Sequence, residues 1–365
     1  MAIYKIFPEK SNTLYSYYPT TNAGIDEILD LSTYLTIEGT NQVSRPLIQF
    51  SQSEIENVYY NIVKEVEYEA HLLVSLAHAA QLPLNYTIYG YPVYNQWNVG
   101  TGRLANSPAT TDGASWTYTD QLNGNIWYYP LNLPNQDVTY HDDGTGLNEG
   151  GGLWWYIYES SQDFNHASSK DLNLDVTYAV NAWLNYDIDN NGLILKHSDL
   201  LEFSTSSAVE LKYFSANTHT IYPPCLEIRW NDTIYNTDLS LVTSPNIIAT
   251  LANNQSEYQQ DSVQRFRINV RDQFPARAFQ TSSVYTNNKV LSEESHWQIK
   301  DLDTEEIVVD FDPIYTKISA DGTSNYFDVY MSGLEPERYY KILIKTIIDG
   351  NTLVLDNNYY FKVIR

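Results

Sequence analysis

The stretch SNYFDVYMSGLEPERYYKILI, residues 324–344, decides the fold class. Large apolar side chains recur at every second position in both of its halves: Phe327, Val329 and Met331, then Tyr340, Ile342 and Ile344. A period of two belongs to a β-strand that buries one face. The stretch therefore predicts β-strands on either side of a short connection, and the alternation returns at Tyr360, Lys362 and Ile364.

The connection itself, Leu334-Glu335-Pro336-Glu337-Arg338-Tyr339-Tyr340, has the spacing L-x-P-x-x-x-Y. This spacing resembles the tyrosine corner of fibronectin type III and related sandwiches, in which a tyrosine hydroxyl ties a strand to the connection before it. The resemblance implies an Ig-like sandwich at this end of the chain, with Tyr340 in a structural role.

The composition extends the β prediction to the whole chain. Its 365 residues include 32 Tyr, 8 Trp and 11 Phe beside 16 Gly and 14 Pro, which is typical of short aromatic strands broken by turns. The hydrophobic fraction of 43% excludes a disordered chain, and the length predicts two or three domains. Residues 231–262 contain few large apolar groups and form the best candidate boundary.

Local patterns predict a few further elements. Residues 67–78 alternate with a period of two and predict a half-buried strand. A capping pattern that begins at Ser53 precedes apolar residues at helical spacing and predicts a short helix over 53–64. A second short helix is predicted over 176–185, with Asp175 as its N-cap.

Charge and cysteine content exclude several classes of function. The chain carries 21 Lys and Arg against 45 Asp and Glu, a net charge of −24, which disfavours direct contact with nucleic acid or an anionic membrane. The single cysteine, Cys225, forms no internal disulfide and is expected to be buried at the head of a strand. No export signal or run of about 18 apolar residues is present, so we expect a soluble protein assembled in the cytoplasm.

Residues 187–192 satisfy the first half of an EF-hand calcium loop. Three ligand positions are occupied by Asp187, Asp189 and Asn191. The second half of the motif fails, because Leu195 and Ser198 stand where a ligand and a bidentate Glu are needed. The alternative is a tight turn at Asn191-Gly192. We expect the turn, with no calcium bound.

Two clusters are candidates for sugar chemistry. One joins an imidazole to carboxylates: His141, Asp142 and Asp143, with Glu149 and Glu159. This cluster provides the groups for a sugar-binding site or for the carboxylate pair that cleaves a glycosidic bond. The alternative is a solvated acidic loop. The other is aromatic, with Trp127, Trp154 and Trp155 as candidate glycan contacts and core packing as the alternative. Residues 98–152, rich in glycine but also aromatic, predict ordered loops that cross a sheet.

The sequence contains no H-E-x-x-H, G-x-S-x-G or P-loop motif, and its seven histidines never fall at a metal spacing. We therefore predict no catalytic residue, no metal and no cofactor.

Several stretches, taken in order, carry a family likeness: Arg45-Pro46-Leu47-Ile48-Gln49-Phe50; Ala70-His71-Leu72; Trp97, Pro108 and Trp116; Asp175-Val176-Thr177, Val180, Trp183 and Gly192; and Pro224 to Ile228. They resemble the DNRLRE-type domain, a jelly-roll sandwich related to carbohydrate-binding modules. The resemblance covers residues 1–230 and falls on scaffold positions.

A second likeness extends over nearly the full length, through three stretches: Thr218 to Glu227, Arg265-Phe266-Arg267-Ile268-Asn269, and Ser324 to Asp328 with Tyr339 to Leu343. These resemble virion structural proteins of tailed bacteriophages, especially marine, cyanophage-like ones. The resemblance implies a particle component and brings no catalytic residue with it.

The expected architecture is all-β: an N-terminal jelly-roll-like sandwich followed by one or two small Ig/fibronectin-III-like sandwiches. The expected domains are a DNRLRE-like jelly roll over 1–230, a connecting segment over 231–275 that alternatively belongs to a small middle β-domain, and a C-terminal Ig-like β-sandwich over 276–365.

The expected function is that of a non-enzymatic structural component of a tailed-phage virion, on the exterior of the tail, neck or head. It would be present in several copies and contact other virion proteins. The alternative is a carbohydrate-binding or host-receptor module that engages a surface glycan, and a third candidate is a polysaccharide depolymerase.

Overall fold

The computed structural model is all-β, with 47% of its residues in strands and 9% in helices. It describes residues 2–36, 41–64, 66–127, 138–140, 150–165, 167–202, 204, 208–252, 254–274 and 288–365. Among these residues, no helix has the length and apolar character needed to cross a membrane.

The strands are β1 Ala2–Ile6, β2 Lys10–Tyr15, β3 Ile28–Leu35, β4 Asn41–Gln49, β5 Tyr68–Val74, β6 Leu76–Ala80, β7 Asn85–Pro92, β8 Tyr118–Asp120, β9 Asn125–Ile126, β10 Val138–Tyr140, β11 Leu153–Trp155, β12 Ser160–Asn165, β13 Leu172–Asp175, β14 Leu193–His197, β15 Val209–Phe214, β16 Cys225–Trp230, β17 Ile247–Ala252, β18 Glu257–Gln259, β19 Val263–Asp272, β20 His296–Asp301, β21 Ile307–Val309, β22 Ser319–Ala320, β23 Asn325–Tyr330, β24 Tyr339–Ile348 and β25 Asn351–Ile364. The α-helices are α1 Gln52–Asn57, α2 Thr177–Leu184 and α3 Asp199–Glu202. A π-helical segment spans Val58–Val63, and 3-10 turns span Tyr156–Tyr158 and Met331–Gly333.

The chain forms two compact units. The N-terminal unit comprises Ile6–Lys64 and Glu69–Glu227, and the C-terminal unit comprises Met1–Lys5, Glu65–Tyr68 and Ile228–Arg365. The sequence indicates a connecting segment over 231–275, but its strands are built into the C-terminal unit: β19 pairs with β17 and β23, and β18 pairs with β25.

The N-terminal unit is built on a curled sheet of eight strands in the order β12-β7-β14-β4-β3-β15-β6, with β2 also paired to β4. One cluster of its core contains Leu14, Leu47 and Ile194 together with four buried tryptophans: Trp97, Trp116, Trp127 and Trp154. The loop before and after Trp116 therefore covers a sheet, as its aromatic content predicts. Asn22 holds this loop, because its Nδ2 donates to the carbonyls of Val99 and Ala114, both at 2.8 Å.

The half-buried strand predicted over 67–78 is two strands. Ala70, Leu72 and Val74 are buried in β5, as the alternation predicts. The chain then leaves β5, which pairs with β13, at Ser75 and continues as β6 in the eight-stranded sheet. The Ser75 carbonyl accepts a hydrogen bond from the Phe214 backbone at 3.1 Å, so the corner is fixed at the point where the strand changes sheets.

Both predicted helices are present, with bounds that differ from the predicted ones by one residue at each end. The first consists of α1, which begins one residue earlier than expected, and the π-helical Val58–Val63, and its N-cap Ser51 makes no side-chain capping bond. The predicted capping role of Ser53 is therefore wrong. Near α2, the Asp175 carboxylate accepts from the Thr177 N–H at 3.0 Å, so Asp175 bonds the start of the helix from one position before the N-cap Val176.

The C-terminal unit is a sandwich of two sheets, β17-β19-β23-β22 and β18-β25-β24-β20-β21. Inward-facing rings fill the space between them: Tyr258, Phe266, Trp297, Phe327, Tyr340 and Phe361.

Cys225, at the first position of β16, is buried, with 6% of its surface exposed.

The Tyr340 hydroxyl lies where the tyrosine-corner spacing predicts. It donates to the Glu335 carbonyl at 2.9 Å, and the residue is 2% exposed. Burial, followed by the nearby Glu335 carboxylate, raises the pKa of this phenol above its usual value, so it remains a donor at neutral pH.

We expect Tyr340→Phe to lower the free energy of unfolding by about 1 kcal/mol or more, because the Glu335 carbonyl loses its donor while the ring remains. Urea denaturation measures the change, with Tyr339→Phe as the control on a neighbour that is 41% exposed. Equal unfolding curves for the two variants would remove the corner assignment.

Candidate functional site

A cleft with a volume of about 290 Å³ opens in the N-terminal unit. Aromatic, acidic and basic residues line it together: Tyr89, Tyr91, Trp154, Glu159, Lys196, His197, Ser198 and Asp199. We call this the β7–β14 cleft, because those two neighbouring strands supply its floor.

The floor follows from strand register. In the antiparallel pair of β7 and β14, Tyr89 lies opposite Lys196 and Tyr91 lies opposite Ile194, so these four side chains share one face of the sheet. The rings of Tyr89 and Tyr91 are nearly parallel, with an interplanar angle of 11° and centroids 6.2 Å apart. Tyr91 is 9% exposed, whereas Tyr89 is only partly buried and is open to a ligand.

Glu159 forms the acidic wall of the cleft. It stands immediately before β12, whose first residue, Ser160, pairs with Gly90 of β7. The Tyr91 hydroxyl donates to Glu159 Oε2 at 2.6 Å, which holds the exposed carboxylate at the edge of the floor. Burial of the Tyr91 ring, together with this carboxylate, raises the pKa of its hydroxyl.

A network of charges supports the opposite wall. Lys196 Nζ pairs with the exposed carboxylate of Asp199 and lies 3.6 Å from Glu202 Oε2, while the Lys196 side chain is 7% exposed. Glu202 also receives two bonds from Arg45, at 3.1 Å from Nε and 2.5 Å from Nη2. Arg45 and Glu202 are fully buried, so both charges are compensated inside the protein.

Trp154 packs beside both cations of this network. The Lys196 ammonium lies 5.2 Å from its ring centroid and the Arg45 guanidinium 5.4 Å. The Tyr91 ring centroid lies 6.1 Å from the Trp154 ring centroid, at an interplanar angle of 35°. Trp154 therefore packs against two cations and one ring of the aromatic floor.

The three tryptophans proposed from the sequence lie in different surroundings. Trp127 is fully buried and Trp154 is 2% exposed, so neither offers a free ring face to a sugar. Trp155 is partly exposed, and its ring centroid lies 5.5 Å from the ring centroid of Tyr94. Trp127 and Trp154 therefore fit the alternative interpretation, in which these rings pack in the core.

The acidic cluster proposed from the sequence is only partly described. His141, Asp142, Asp143 and Glu149 lie outside the described residues, whereas Glu159 lies in the β7–β14 cleft. Sequence reasoning missed Tyr89, Tyr91, Lys196 and Asp199. The signal for the first two was a Tyr-Gly-Tyr alternation, which places both rings on one face of a strand.

Residues 187–192 form a turn that leads into β14. The Gly192 N–H donates to Asn190 Oδ1 at 3.1 Å, while Asn191 Nδ2 donates to the Tyr94 carbonyl at 2.9 Å. Two proposed calcium ligands, Asp187 and Asp189, lie in the first half of this segment. Within the described part of the chain, no group of three His, Cys, Asp or Glu residues is arranged to hold a metal ion. The absence of calcium here stays a prediction, which micromolar binding lost in Asp187→Ala would contradict.

We expect Gly192→Ala to lower the free energy of unfolding by about 2 kcal/mol or more, equally in calcium and in a chelator. Gly192 has a φ of +84°, and an added Cβ would lie 2.4 Å from the Ile48 carbonyl oxygen. Gly124→Ala is the control, because its φ is +71° but an added Cβ meets nothing within 4 Å. Unfolding curves that coincide for the two variants would show that the chain relaxes around residue 192.

His197, at the end of β14, is fully buried, and its Nε2 lies 3.2 Å from the Leu31 carbonyl. Burial lowers its pKa, an effect that the nearby Glu202 opposes. The unfolded chain then binds a proton near pH 6.5 that the folded chain does not bind until lower pH. This contribution to stability is complete above pH 6.5 and is lost as the pH falls below it.

We therefore expect unfolding measured from pH 7 to pH 5 to lose stability with a slope of up to about 1.4 kcal/mol per pH unit from this group. His197→Gln should flatten the slope in this interval, whatever the free energy of unfolding of this variant at pH 7. An identical pH dependence for the variant and the wild type would contradict the assignment.

No protein-family model matches the sequence, and a comparison with curated proteins finds no match. Among solved structures, a DUF4785 family protein from Legionella pneumophila is 9% identical, with a TM-score of 0.19, over 98% of this chain and 65% of that one. A β-glucuronidase from Parabacteroides merdae is also 9% identical, with a TM-score of 0.15, over 81% of this chain. The chain spans 65% and 28% of the lengths of these two proteins. Both TM-scores are too low for either likeness to bear on fold or function.

Proposed function

We propose that this protein is a non-enzymatic structural component of a tailed-phage virion, on the exterior of the particle, where repeated copies contact other virion proteins. The proposal starts from the sequence likeness described above. Two of the stretches that carry it lie on paired strands of the C-terminal unit, since Arg265–Asn269 belongs to β19 and Asn325–Asp328 to its partner β23.

One observation supports a scaffold role most directly: charged groups tie strands and loops to one another. Arg45 and Glu202 do so in the N-terminal unit, although 157 residues separate them. In the C-terminal unit, Arg338 donates to Asp301 at 2.8 Å, and the Asp301 carboxylate also accepts from two backbone N–H groups of its own loop. Ties of this kind fix one arrangement of strands, which suits a protein that packs in many identical copies.

The net charge of −24 supports the exterior position, because packaged DNA would repel a protein with this negative charge. On this proposal the protein assembles in the host cytoplasm, makes no direct contact with nucleic acid or membrane, and resides in the virion.

Purified particles test the proposal. Mass spectrometry of gradient-purified virions should find the chain in many copies per particle, and an antibody against it should label intact particles in electron micrographs. A chain that stays with host cell debris, or is labelled only after particles are opened, would contradict it.

The second candidate, a glycan-binding module, is favoured by a separate observation, the β7–β14 cleft. The third, a polysaccharide depolymerase, predicts shortened chains when the protein is incubated with host surface polysaccharide.

A further inference from the structure

We infer that the β7–β14 cleft binds a neutral saccharide, with Tyr89 as the stacking ring and Glu159 and Asp199 as acceptors for sugar hydroxyls. This inference deepens the second candidate function. It is independent of whether the protein belongs to a phage particle.

The size of the cleft limits the ligand. Its volume of about 290 Å³ lies at the lower end of the roughly 300–1,000 Å³ that small-molecule sites occupy. A short segment of a glycan fits this space, whereas a folded partner would have to insert a side chain into it.

The polar groups select a ligand with several hydroxyls. Glu159 keeps its carboxylate at the rim through the Tyr91 hydroxyl, and the Asp199 side chain is 73% exposed beside the Lys196 ammonium. Two exposed carboxylates within a single cleft accept from neighbouring hydroxyls of one ring. An apolar ligand would remove these groups from water and return no hydrogen bond, which disfavours it.

The aromatic floor suits the apolar face of a sugar ring. Tyr89 is the open ring of the parallel pair, and Tyr91 and Trp154 fix the surface behind it. A rigid flat surface beside fixed acceptors costs little conformational entropy on binding.

Charge excludes two other classes of ligand. Glu159, Asp199 and Glu202 outnumber the cations Lys196 and Arg45, and both cations already have carboxylate partners. A uronate or sulfate group would therefore meet net negative charge. A quaternary ammonium would meet the Lys196 ammonium, which already lies over Trp154.

Titration calorimetry on the full chain tests the inference, with neutral oligosaccharides of glucose, galactose and mannose as probes and an oligogalacturonate as the acidic comparison. We expect at least one neutral probe to bind and the oligogalacturonate to bind at least about tenfold more weakly. Glu159→Gln keeps the shape of an exposed side chain and should weaken binding about tenfold, as should Tyr89→Ala.

Glu27→Gln and Tyr60→Ala are the matched controls, since both side chains are more than 40% exposed and neither lines the cleft, and they should leave the affinity within about twofold. Far-UV spectra and unfolding curves establish that each variant is folded, and Glu159→Gln decides the question if Tyr89→Ala does not fold. The inference is overturned if no neutral probe binds, if Glu159→Gln binds as tightly as the wild type, or if the acidic probe binds equally well. Each of these results leaves the particle proposal standing, because that proposal is tested on virions.

Discussion

Glu202→Ala should lower the free energy of unfolding of the N-terminal unit by about 3–5 kcal/mol. The substitution leaves Arg45 without the carboxylate that receives both Nε and Nη2, while the guanidinium is fully buried. The hydrogen bond from Nη1 to the Gly150 carbonyl at 2.7 Å and the two tryptophan rings beside the guanidinium do not replace a counter-charge. Urea denaturation followed by tryptophan fluorescence measures the loss.

Two comparisons separate the cost of an unpaired charge from the loss of a side chain. Glu27→Ala breaks an ion pair with Arg103 in which both side chains are more than 40% exposed, and it should cost less than about 1 kcal/mol because water screens that pair. The double variant Arg45→Met with Glu202→Leu removes both charges and should recover much of the stability. If Glu202→Ala alone costs no more than Glu27→Ala, Arg45 must reach water once its partner is gone, and the buried pair would not hold the strands.

The all-β class could be predicted from sequence because a period of two is a local property. Phe327 and Val329, or Ile342 and Ile344, alternate with their neighbours whatever they pack against, and they are buried in β23 and β24 as that alternation requires. The strands within the segment 231–275 were harder to predict. Phe266, Ile268 and Val270 alternate in β19, but the polar residues that precede this strand hide it in a count of apolar groups.

The cleft could not be predicted, because its parts are distant in sequence. Tyr89 and Lys196 face each other only because β7 pairs with β14, and no local pattern states which strands pair. The burial of Arg45 could not be predicted from the sequence either. Arginine is rarely buried unless it is paired, so the sequence alone favours a solvated position. The burial of Arg45 depends on Glu202 of α3, which lies 157 residues away in the sequence.

Phe327→Ala should lower the free energy of unfolding of the C-terminal unit by about 3–5 kcal/mol. Phe327 is 1% exposed and stands at the centre of the sandwich. Its ring stacks on Trp297, with centroids 5.1 Å apart, and on Phe266, with centroids 5.4 Å apart, so it joins one residue from each sheet. Alanine would leave a cavity between two large rings, and the strands that carry them, β19 and β20, are each held within their own sheet, which prevents the cavity from closing.

Phe274→Ala is the matched control, because it removes the same side chain from a position that is 78% exposed in the same unit. It should change the free energy of unfolding by less than about 0.5 kcal/mol. Phe327→Leu should lie between the two, since it refills part of the cavity without restoring the stacked ring. The order Phe327→Ala, Phe327→Leu, Phe274→Ala in decreasing cost follows from a close-packed sandwich core. If Phe327→Ala were as stable as Phe274→Ala, the two sheets would have to pack by some surface other than these rings.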